Sequence, residues 1–274
     1  MEVIECQQAF KTIDGKFGFF CMKGIVRMND QLYLASWHQR RETGIELADL
    51  FNVKQLQTED RGPKLQPSWK VAVADTSSTG RGDSDSDHYV KAPKLSDYAP
   101  DFDLEFRMQL EIQVCEILRH NPHPNIATYH GCRAVHGRAS ALCFNKYEKT
   151  LLEAMNPQGL NKRHFMSSGR PLVGHGILRA LDQLLGGIRH LHSLDLVHND
   201  IAPANIMWDE THQTLVLIDF GSCRHVGEQL RKTATGRTHE WHDPAVDSST
   251  PDNDMQAFAE LKTWLSGSVD DLQW

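Results

Sequence analysis

The chain has 274 residues, 40% of them hydrophobic, so it is long enough to bury a core in one large domain or in two lobes that share a cleft. Its net charge of −7 gives no electrostatic reason to expect nucleic acid or an anionic membrane as the main partner. No signal peptide is recognisable in the first residues, no apolar run is long enough to span a membrane, and the six cysteines are scattered. These features predict an intracellular protein, cytoplasmic or nuclear, whose partners are neither nucleic acid nor membrane.

The first part of the chain is predicted to be rich in β-structure. Residues 24–28 and 32–34 indicate two short strands around a turn at Asn29 and Asp30, because these two residue types tolerate turn conformations. Three more elements are predicted before the first helix: a strand at 68–74, a loop rich in Ser, Gly and Asp at 76–87, and a strand at 88–91.

Two amphipathic helices are predicted from apolar residues at helical spacing. The first covers 102–120 and ends before the prolines of 121–124, because proline lacks the amide hydrogen that a helix needs. The second covers 177–191 and follows a segment, 156–176, whose prolines and glycines predict a loop. The remaining predicted elements are buried strands at 140–144 and 215–218 and a last helix that opens at Thr250-Pro251.

Three polar side chains after the second helix have the chemistry of phosphoryl transfer. Asp200 is followed by Asn205, and Asp219 stands at the end of the apolar run 215–218. Phosphoryl transfer needs a carboxylate near the attacking hydroxyl and oxygen ligands for Mg²⁺, and these side chains supply both. The alternative is that Asp200 and Asn205 only cap turns and that Asp219 only ends a strand.

The segments VHNDIAPANIMWD and LVLIDFG together resemble the catalytic and metal-binding core of protein kinases. The resemblance covers roughly 89–265 and implies a two-lobed α+β fold in which Asp200 is the catalytic aspartate and Asn205 and Asp219 hold Mg²⁺. Because little sequence follows the helix at Thr250, the implied type is a compact, fungal kinase-like protein with a shortened C-lobe. The domains expected on this basis are a β-rich N-terminal extension at 1–75, the core of the N-lobe at 76–149 and a truncated C-lobe at 150–274.

The same resemblance implies a lysine–glutamate pair at the nucleotide site. Lys91 in YVKAP is similar to the strand lysine that holds the α- and β-phosphates of ATP in kinases. Glu111, on the helix that follows, is similar to the glutamate that pairs with this lysine. Glu105 and Glu116 are competing candidates, since an exposed helix is normally rich in glutamate.

Two further segments are similar to known parts of kinases. Lys146 and Tyr147 resemble the hinge between the lobes, where backbone groups meet adenine. Asp254, in DNDMQAFAEL, is similar to the buried aspartate that opens the central helix of the C-lobe and hydrogen-bonds to the backbone of the catalytic loop.

The sequence departs from the family at several places, and three of them concern the nucleotide site and the catalytic loop. No glycine-rich G-x-G-x-x-G precedes Lys91, and 15–18 is only a weak candidate for the end of such a loop. Asn199 replaces the usual arginine, which argues against control by a phosphorylated activation segment through that arginine. Ala202 replaces the lysine that serine/threonine kinases carry, so one stabiliser of the transferring phosphate is missing.

The preferred function is therefore an ATP- and Mg²⁺-dependent protein serine/threonine kinase that acts on a protein substrate or a dedicated partner. One alternative is a pseudokinase that serves as a binding module, which the missing glycine loop and Ala202 favour. Another is a small-molecule phosphotransferase of the aminoglycoside or choline kinase type, although 123–126 (HPNI) favours the protein kinase. Five exposed self-acceptors are expected: Ser77, Ser78, Thr79, Thr233 and Thr235.

Overall fold

The structure is a computed structural model that describes residues 1–13, 16–72, 88–170, 175–233 and 235–274. The loop predicted at 76–87, which contains three of the expected self-acceptors, lies outside these ranges. The chain divides into two compact units. The first comprises Met1–Leu65, Ala92–Arg107 and Ala134–Ala141, and the second comprises Gln66–Lys91, Met108–Arg133 and Leu142–Trp274.

A four-stranded antiparallel meander occupies the start of the first unit. Its strands, paired in chain order, are β1 (Glu2–Ile13), β2 (Lys16–Met28), β3 (Gln31–Trp37) and β4 (Phe51–Gln55). Asn29 and Asp30 join β2 to β3 with φ values of 48° and 62°, so the predicted turn is confirmed. The long β1 was not predicted, because its apolar and polar residues are equal in number and do not alternate.

The core of this meander forms around Trp37, whose side chain is fully buried with Met22, Val26 and Ala35. Gly24 makes the close packing possible. A Cβ atom at Gly24 would lie 2.5 Å from the carbonyl oxygen of Glu5 and 2.8 Å from the ring of Trp37, so no larger residue fits without displacing β1 or the indole.

The next sheet contains the predicted strands at 88–91 and 140–144. They are β5 (His88–Lys91) and β7 (Arg138–Asn145), and β6 (Tyr129–Val135) completes the order β5-β7-β6. The helix predicted at 102–120 is α1 (Leu104–His120). The strand predicted at 68–74 is wrong over its described part. There Trp69 N–H donates to Gln66 O in a turn, and Val71 forms an isolated bridge to Cys132.

The rest of the second unit alternates short strands with helices. Its elements are β8 (Lys149–Thr150), α2 (Leu151–Met155), α3 (Lys162–Ser167), α4 (His175–Ser193), β9 (Leu196–Val197), β10 (Ile206–Asp209), β11 (Thr214–Leu217), β12 (Arg224–His225) and α5 (Pro251–Ser266). The predicted helices at 177–191 and from Thr250, and the strand at 215–218, are confirmed by α4, α5 and β11.

The loop predicted at 156–176 is wrong where α3 forms. The Asn161 side chain caps this helix by accepting a hydrogen bond of 2.9 Å from His164 N–H, and a helix this short has too few turns to show an apolar period. Residues 171–174 lie outside the described ranges. Among the helices of the described part of the chain, none has the length and apolar character needed to cross a membrane.

Candidate active site

Asn205 and Asp219 lie at the same end of a β-hairpin. Strand β10 pairs with β11 in antiparallel register, with Ile206 opposite Leu217. Asn205 immediately precedes β10 and residue 218 immediately follows β11, and the N–H of Ile218 donates to Asn205 O at 3.0 Å. The register of the hairpin therefore brings the asparagine close to the strand end that carries Asp219.

Asp200 is held on both oxygens of its carboxylate. One oxygen accepts a hydrogen bond of 2.6 Å from the N–H of Thr238, and the other accepts one of 2.8 Å from the Asn205 amide nitrogen. The same amide nitrogen also donates to Asp200 O at 3.0 Å. Because the Asn205 nitrogen is engaged in this way, the group it can offer to a cation is its amide oxygen.

Lys91 on β5 lies between two carboxylates. Its Nζ is 2.7 Å from Glu111 Oε1 and 2.8 Å from Asp219 Oδ1. The two competing glutamates have other partners. Glu116 accepts from the N–H of Lys70 and pairs with an arginine on its own helix, and Glu105 lies 3.5 Å from Arg138. Of the three candidate glutamates, it is Glu111 that the structure places on Lys91.

The charges in this cluster reinforce one another. Burial would lower the pKa of Lys91, but the carboxylates of Glu111 and Asp219 outweigh burial and raise that pKa above its ordinary value. Burial would raise the pKa of Asp219, but Lys91 and a hydrogen bond from the N–H of Gly221 hold it below its ordinary value. Both groups therefore stay charged at neutral pH, as a site for phosphate and a cation requires.

Asp254 anchors the loop that carries Asp200. Its carboxylate is fully buried and accepts hydrogen bonds of 2.8 Å from the backbone N–H groups of both His198 and Asn199. His192 lies 3.0 Å from the same carboxylate. The predicted bonds between Asp254 and the backbone of this loop are confirmed.

The family model for the protein kinase domain matches residues 83–256. This chain belongs to the protein kinase family. The α+β kinase fold predicted from the sequence is thereby confirmed.

Individual relatives are more distant. The chain is 29% identical over 143 residues to a probable serine/threonine-protein kinase of Dictyostelium discoideum, a match that covers 51% of this chain and 8% of that protein. It is 28% identical over 154 residues to the serine/threonine-protein kinase pakH of the same organism, covering 56% of this chain and 27% of pakH. This kinase chain thus spans well under half the length of either relative. A solved structure, that of the yeast RNA Pol II CTD kinase complex, is 19% identical with a TM-score of 0.48 and covers 65% of this chain and 54% of that one.

The residue that replaces the usual kinase arginine, Asn199, is part of the interior. It is buried with φ of 64°, and its amide nitrogen donates to Val197 O and to the Ser249 hydroxyl, each at 3.0 Å. Its amide oxygen accepts from the side chain of Asn253 at 2.9 Å. Sequence reasoning identified the substitution but missed this network, because the two side chains that bind Asn199, those of Ser249 and Asn253, lie 50 and 54 residues downstream.

The hinge candidates follow β7. Lys146 is exposed and Tyr147 is partly buried, and burial raises the pKa of the Tyr147 phenol although the backbone of Thr128 opposes the shift. Ala202, at the position of the missing lysine, is fully buried. The side chain at this position is therefore packed inside the protein, so the substitution fits its surroundings.

The structure locates two further groups of residues that the sequence singled out, the segment 15–18 and the threonines Thr233 and Thr235. Residues 16–18 begin β2, where Gly18 pairs with Lys11 of β1, and Gly15 lies outside the described ranges. Thr233 and Thr235 are only partly exposed, and their hydroxyl oxygens lie 2.9 Å from each other. The expectation that both threonines are freely exposed is wrong, because Thr233 Oγ1 also donates to backbone carbonyls of the same segment.

Proposed function

We propose that this chain is an ATP- and Mg²⁺-dependent kinase that transfers a phosphoryl group to serine or threonine of a protein substrate or a dedicated partner. The observation that carries the proposal is the pair of contacts from Lys91 to Glu111 and Asp219. This arrangement aligns the phosphates in a kinase. Serine or threonine is proposed as the acceptor because the relatives named above are serine/threonine-protein kinases.

The donor set of Asp219 and Asn205 fits a hard cation. Asp219 offers a carboxylate whose side chain is 47% exposed, and Asn205 offers an amide oxygen, both of the oxygen type that Mg²⁺ prefers. Bound Mg²⁺ would neutralise charge on the phosphates. Lys91 would hold the α- and β-phosphates, and backbone groups of Lys146 and Tyr147 would bind adenine.

Asp200 would orient the acceptor hydroxyl and take its proton. Its carboxylate is already directed by the N–H of Thr238 and by the amide of Asn205, so little reorganisation is needed when substrate binds. A general base that is already fixed in position lowers the entropic cost of reaching a reactive geometry, and such positioning accounts for a large part of enzymatic rate acceleration.

A pseudokinase is the second candidate, and two observations favour it. No glycine-rich loop precedes Lys91 in the sequence, and Ala202 takes the place of a lysine that stabilises the transferring phosphate. Nucleotide binding without transfer, or no nucleotide binding at all, is the behaviour expected of that class. A small-molecule phosphotransferase would transfer to a low-molecular-weight alcohol and leave peptides unlabelled.

The test begins with nucleotide binding. A ligand that binds the native state raises the melting temperature, so saturating ATP with Mg²⁺ should raise it by more than ATP with EDTA. Asp219→Asn should reduce the difference between the two conditions. If the folded wild type shows no shift with Mg²⁺ and ATP, both enzyme candidates fail and the pseudokinase gains.

Phosphoryl transfer is tested with a matched pair of variants. Asp200→Asn should abolish labelling of serine/threonine peptides by radioactive ATP while the thermal shift is kept, because the carboxylate acts on the acceptor hydroxyl. Asp195→Asn changes an exposed aspartate whose carboxylate lies 3.4 Å from the exposed His225 ring, and it should transfer like wild type. Equal labelling by wild type and Asp200→Asn would contradict the assignment.

A further inference from the structure

Arg237 makes contacts that no sequence pattern indicated. Its Nε donates to Asn199 O at 3.1 Å, and Nη1 donates to the carbonyls of Asp243 at 3.4 Å and Val246 at 3.2 Å. The first of these carbonyls belongs to the peptide bond that leads into Asp200. The guanidinium therefore joins the backbone of the catalytic loop to the residues that follow it in the 237–246 stretch.

The residue after Arg237 binds the other side of Asp200. The N–H of Thr238 donates to a carboxylate oxygen of Asp200 at 2.6 Å. Two consecutive residues thus hold Asp200 by its peptide bond and by its carboxylate. A shift of the Arg237 backbone would move both contacts together.

Side-chain hydrogen bonds from Arg224 and Ser222 also hold the segment that precedes Arg237. Arg224 is buried and donates to Gly221 O at 2.9 Å and to Thr233 O at 3.4 Å. The Ser222 hydroxyl donates to Gly236 O. All the acceptors in these contacts are backbone carbonyls, which are present in the chain as synthesised.

Asn199 has no charge with which to bind a phosphorylated side chain, and its amide is occupied in the interior. Arg237 stays protonated, since burial lowers its pKa but Asp200 and Asp243 oppose the shift and arginine titrates far above neutral pH. A guanidinium presents several N–H groups in a fixed fork, so one side chain can bridge several carbonyls.

We propose that Arg237 is a positioning residue that holds Asp200 ready for phosphoryl transfer in the unphosphorylated protein. The catalytic part of this proposal rests on the proposed function. The structural part states that Arg237 keeps residues 199–201 and 236–240 ordered. The hydrogen bonds from Arg237 to backbone carbonyls would order the two segments without a phosphorylated residue. Removal of Arg237 should then loosen both segments while the helices stay folded.

Hydrogen exchange followed by mass spectrometry tests this claim without any need for activity. The phosphatase-treated wild type should be protected at 199–201 and 236–240. Arg237→Gln should exchange there roughly 10-fold faster or more, because each of the three lost hydrogen bonds contributes a factor of roughly 2 to 10 to local stability. Peptides from α4 should exchange as in wild type. Arg231→Gln, which removes an exposed side chain 3.8 Å from Asp247 on the same segment, should match wild type throughout.

Unchanged exchange at both segments in Arg237→Gln would overturn the proposal, and so would protection that appears only after phosphorylation of Thr233 or Thr235. If α4 also loses protection in Arg237→Gln, that variant disturbs more than the two segments, and Arg237→Lys is used in its place. Lysine keeps the charge but not the fork, so local loosening at the two segments alone is expected, and no loosening would again overturn the claim.

Kinetics separates positioning from a purely structural role. If the wild type transfers phosphate, Arg237→Gln should lower kcat by roughly 10- to 100-fold with little change in the KM for ATP, because misplaced groups slow the reaction more than they weaken binding. Equal losses in Arg237→Gln and Arg231→Gln would overturn the positioning role. A wild type that binds nucleotide but never transfers phosphate, with the exchange result as expected, would sink the proposed function and leave the ordering by Arg237 supported.

Discussion

At the scale of single residues, Lys91 lies between two anionic neighbours, Glu111 and Asp219. Lys91→Met removes the cation between Glu111 and Asp219 together with the proposed phosphate contact. We expect the affinity for ATP to fall by about tenfold or more, since a hydrogen bond to a charged group is worth roughly 1.5–3 kcal/mol. Calorimetric titration with Mg²⁺ and ATP measures this change.

A matched control for Lys91→Met is Lys94→Met, which truncates an exposed lysine shortly after the same strand. Lys94→Met should bind ATP like wild type. Similar losses of affinity in both variants would show that general electrostatic attraction, and not a specific contact of Lys91, draws the nucleotide to the protein.

Some side chains of the candidate site could be predicted from the sequence, and others could not. Asp200, Asn205 and Asp219 were predicted because phosphoryl transfer demands these chemical types in a fixed order on adjoining elements. Arg237 was not predicted, because its partners are backbone carbonyls. A carbonyl has no sequence identity, so a side chain that binds carbonyls leaves no pattern in the residue types around it.

At the scale of elements, the β1–β2 pairing depends on the absence of a side chain at Gly24. Gly24→Ala places a methyl group 2.5 Å from Glu5 O and 2.8 Å from the Trp37 ring, so the free energy of unfolding should fall by about 1–3 kcal/mol. Gly18→Ala lies on the same strand with no atom within 4 Å of its new methyl group. It should change stability by less than about 0.5 kcal/mol. Urea unfolding of both variants compares them, and equal losses would contradict the packing argument.

A second element-scale feature joins α3 to α5 through buried charges. Lys162 pairs with Glu260, and the two side chains are 2% and 1% exposed. The Lys162 Nζ also donates to Glu240 O and lies 4.5 Å from the centre of the Trp241 ring. Burial lowers the pKa of Lys162, although Glu260 opposes the shift.

Glu260→Gln should lower the free energy of unfolding by about 3–5 kcal/mol, because it leaves a buried ammonium without its anion. Lys162→Met should cost a similar amount, since it leaves the buried carboxylate of Glu260 without its cation. The double variant Lys162→Met/Glu260→Gln should be more stable than the sum of the two single losses predicts, because neither charge is then left without its partner. Additive losses in urea unfolding would show that the two charges do not interact.

The elements that sequence predicted are those with strong periodicity. Helices α1 and α4 each carry an apolar stripe over several turns, and three of the four residues of β11 belong to the apolar run 215–218. The apolar residues of β1 do not alternate with its polar ones, and α3 is too short to show a period, so neither element has a periodic signal in the sequence. Tertiary contacts decide such elements, and the Lys162–Glu260 contact that ties α3 to α5 spans 98 residues.

At the scale of the whole molecule, family membership was predictable from two short motifs, while the division into units was not. The first unit takes its residues from three separate stretches of the chain. No local composition change marks 92–107 or 134–141 as belonging with the N-terminal meander. Such an assignment depends on which distant stretches of the chain pack together, and the local sequence carries no signal for that packing.

Stability of the whole chain should depend on pH through a histidine pair in the second unit. The rings of His123 and His190 stack with centroids 5.1 Å apart, and His123 Nδ1 accepts a hydrogen bond of 3.2 Å from the N–H of Asn125. Burial lowers the pKa of His123, and the neighbouring His190 lowers it further. Protonation would remove the acceptor on Nδ1 and place a charge against the second ring.

Because the pKa of His123 is lower in the folded protein than in the unfolded chain, the unfolded chain binds more protons as the pH falls through about 6.5. The contribution of His123 is therefore complete above that pH and is lost as the pH drops towards the folded-state pKa. We expect the free energy of unfolding, measured in urea, to be lower at pH 5.5 than at pH 7.5. His123→Asn keeps an acceptor near the Nδ1 position but does not titrate, so it should reduce this difference, whereas His164→Gln, at an exposed position, should not. An unchanged pH dependence in His123→Asn would assign the acid sensitivity to other groups, of which His242, whose pKa burial also lowers, is the next to test.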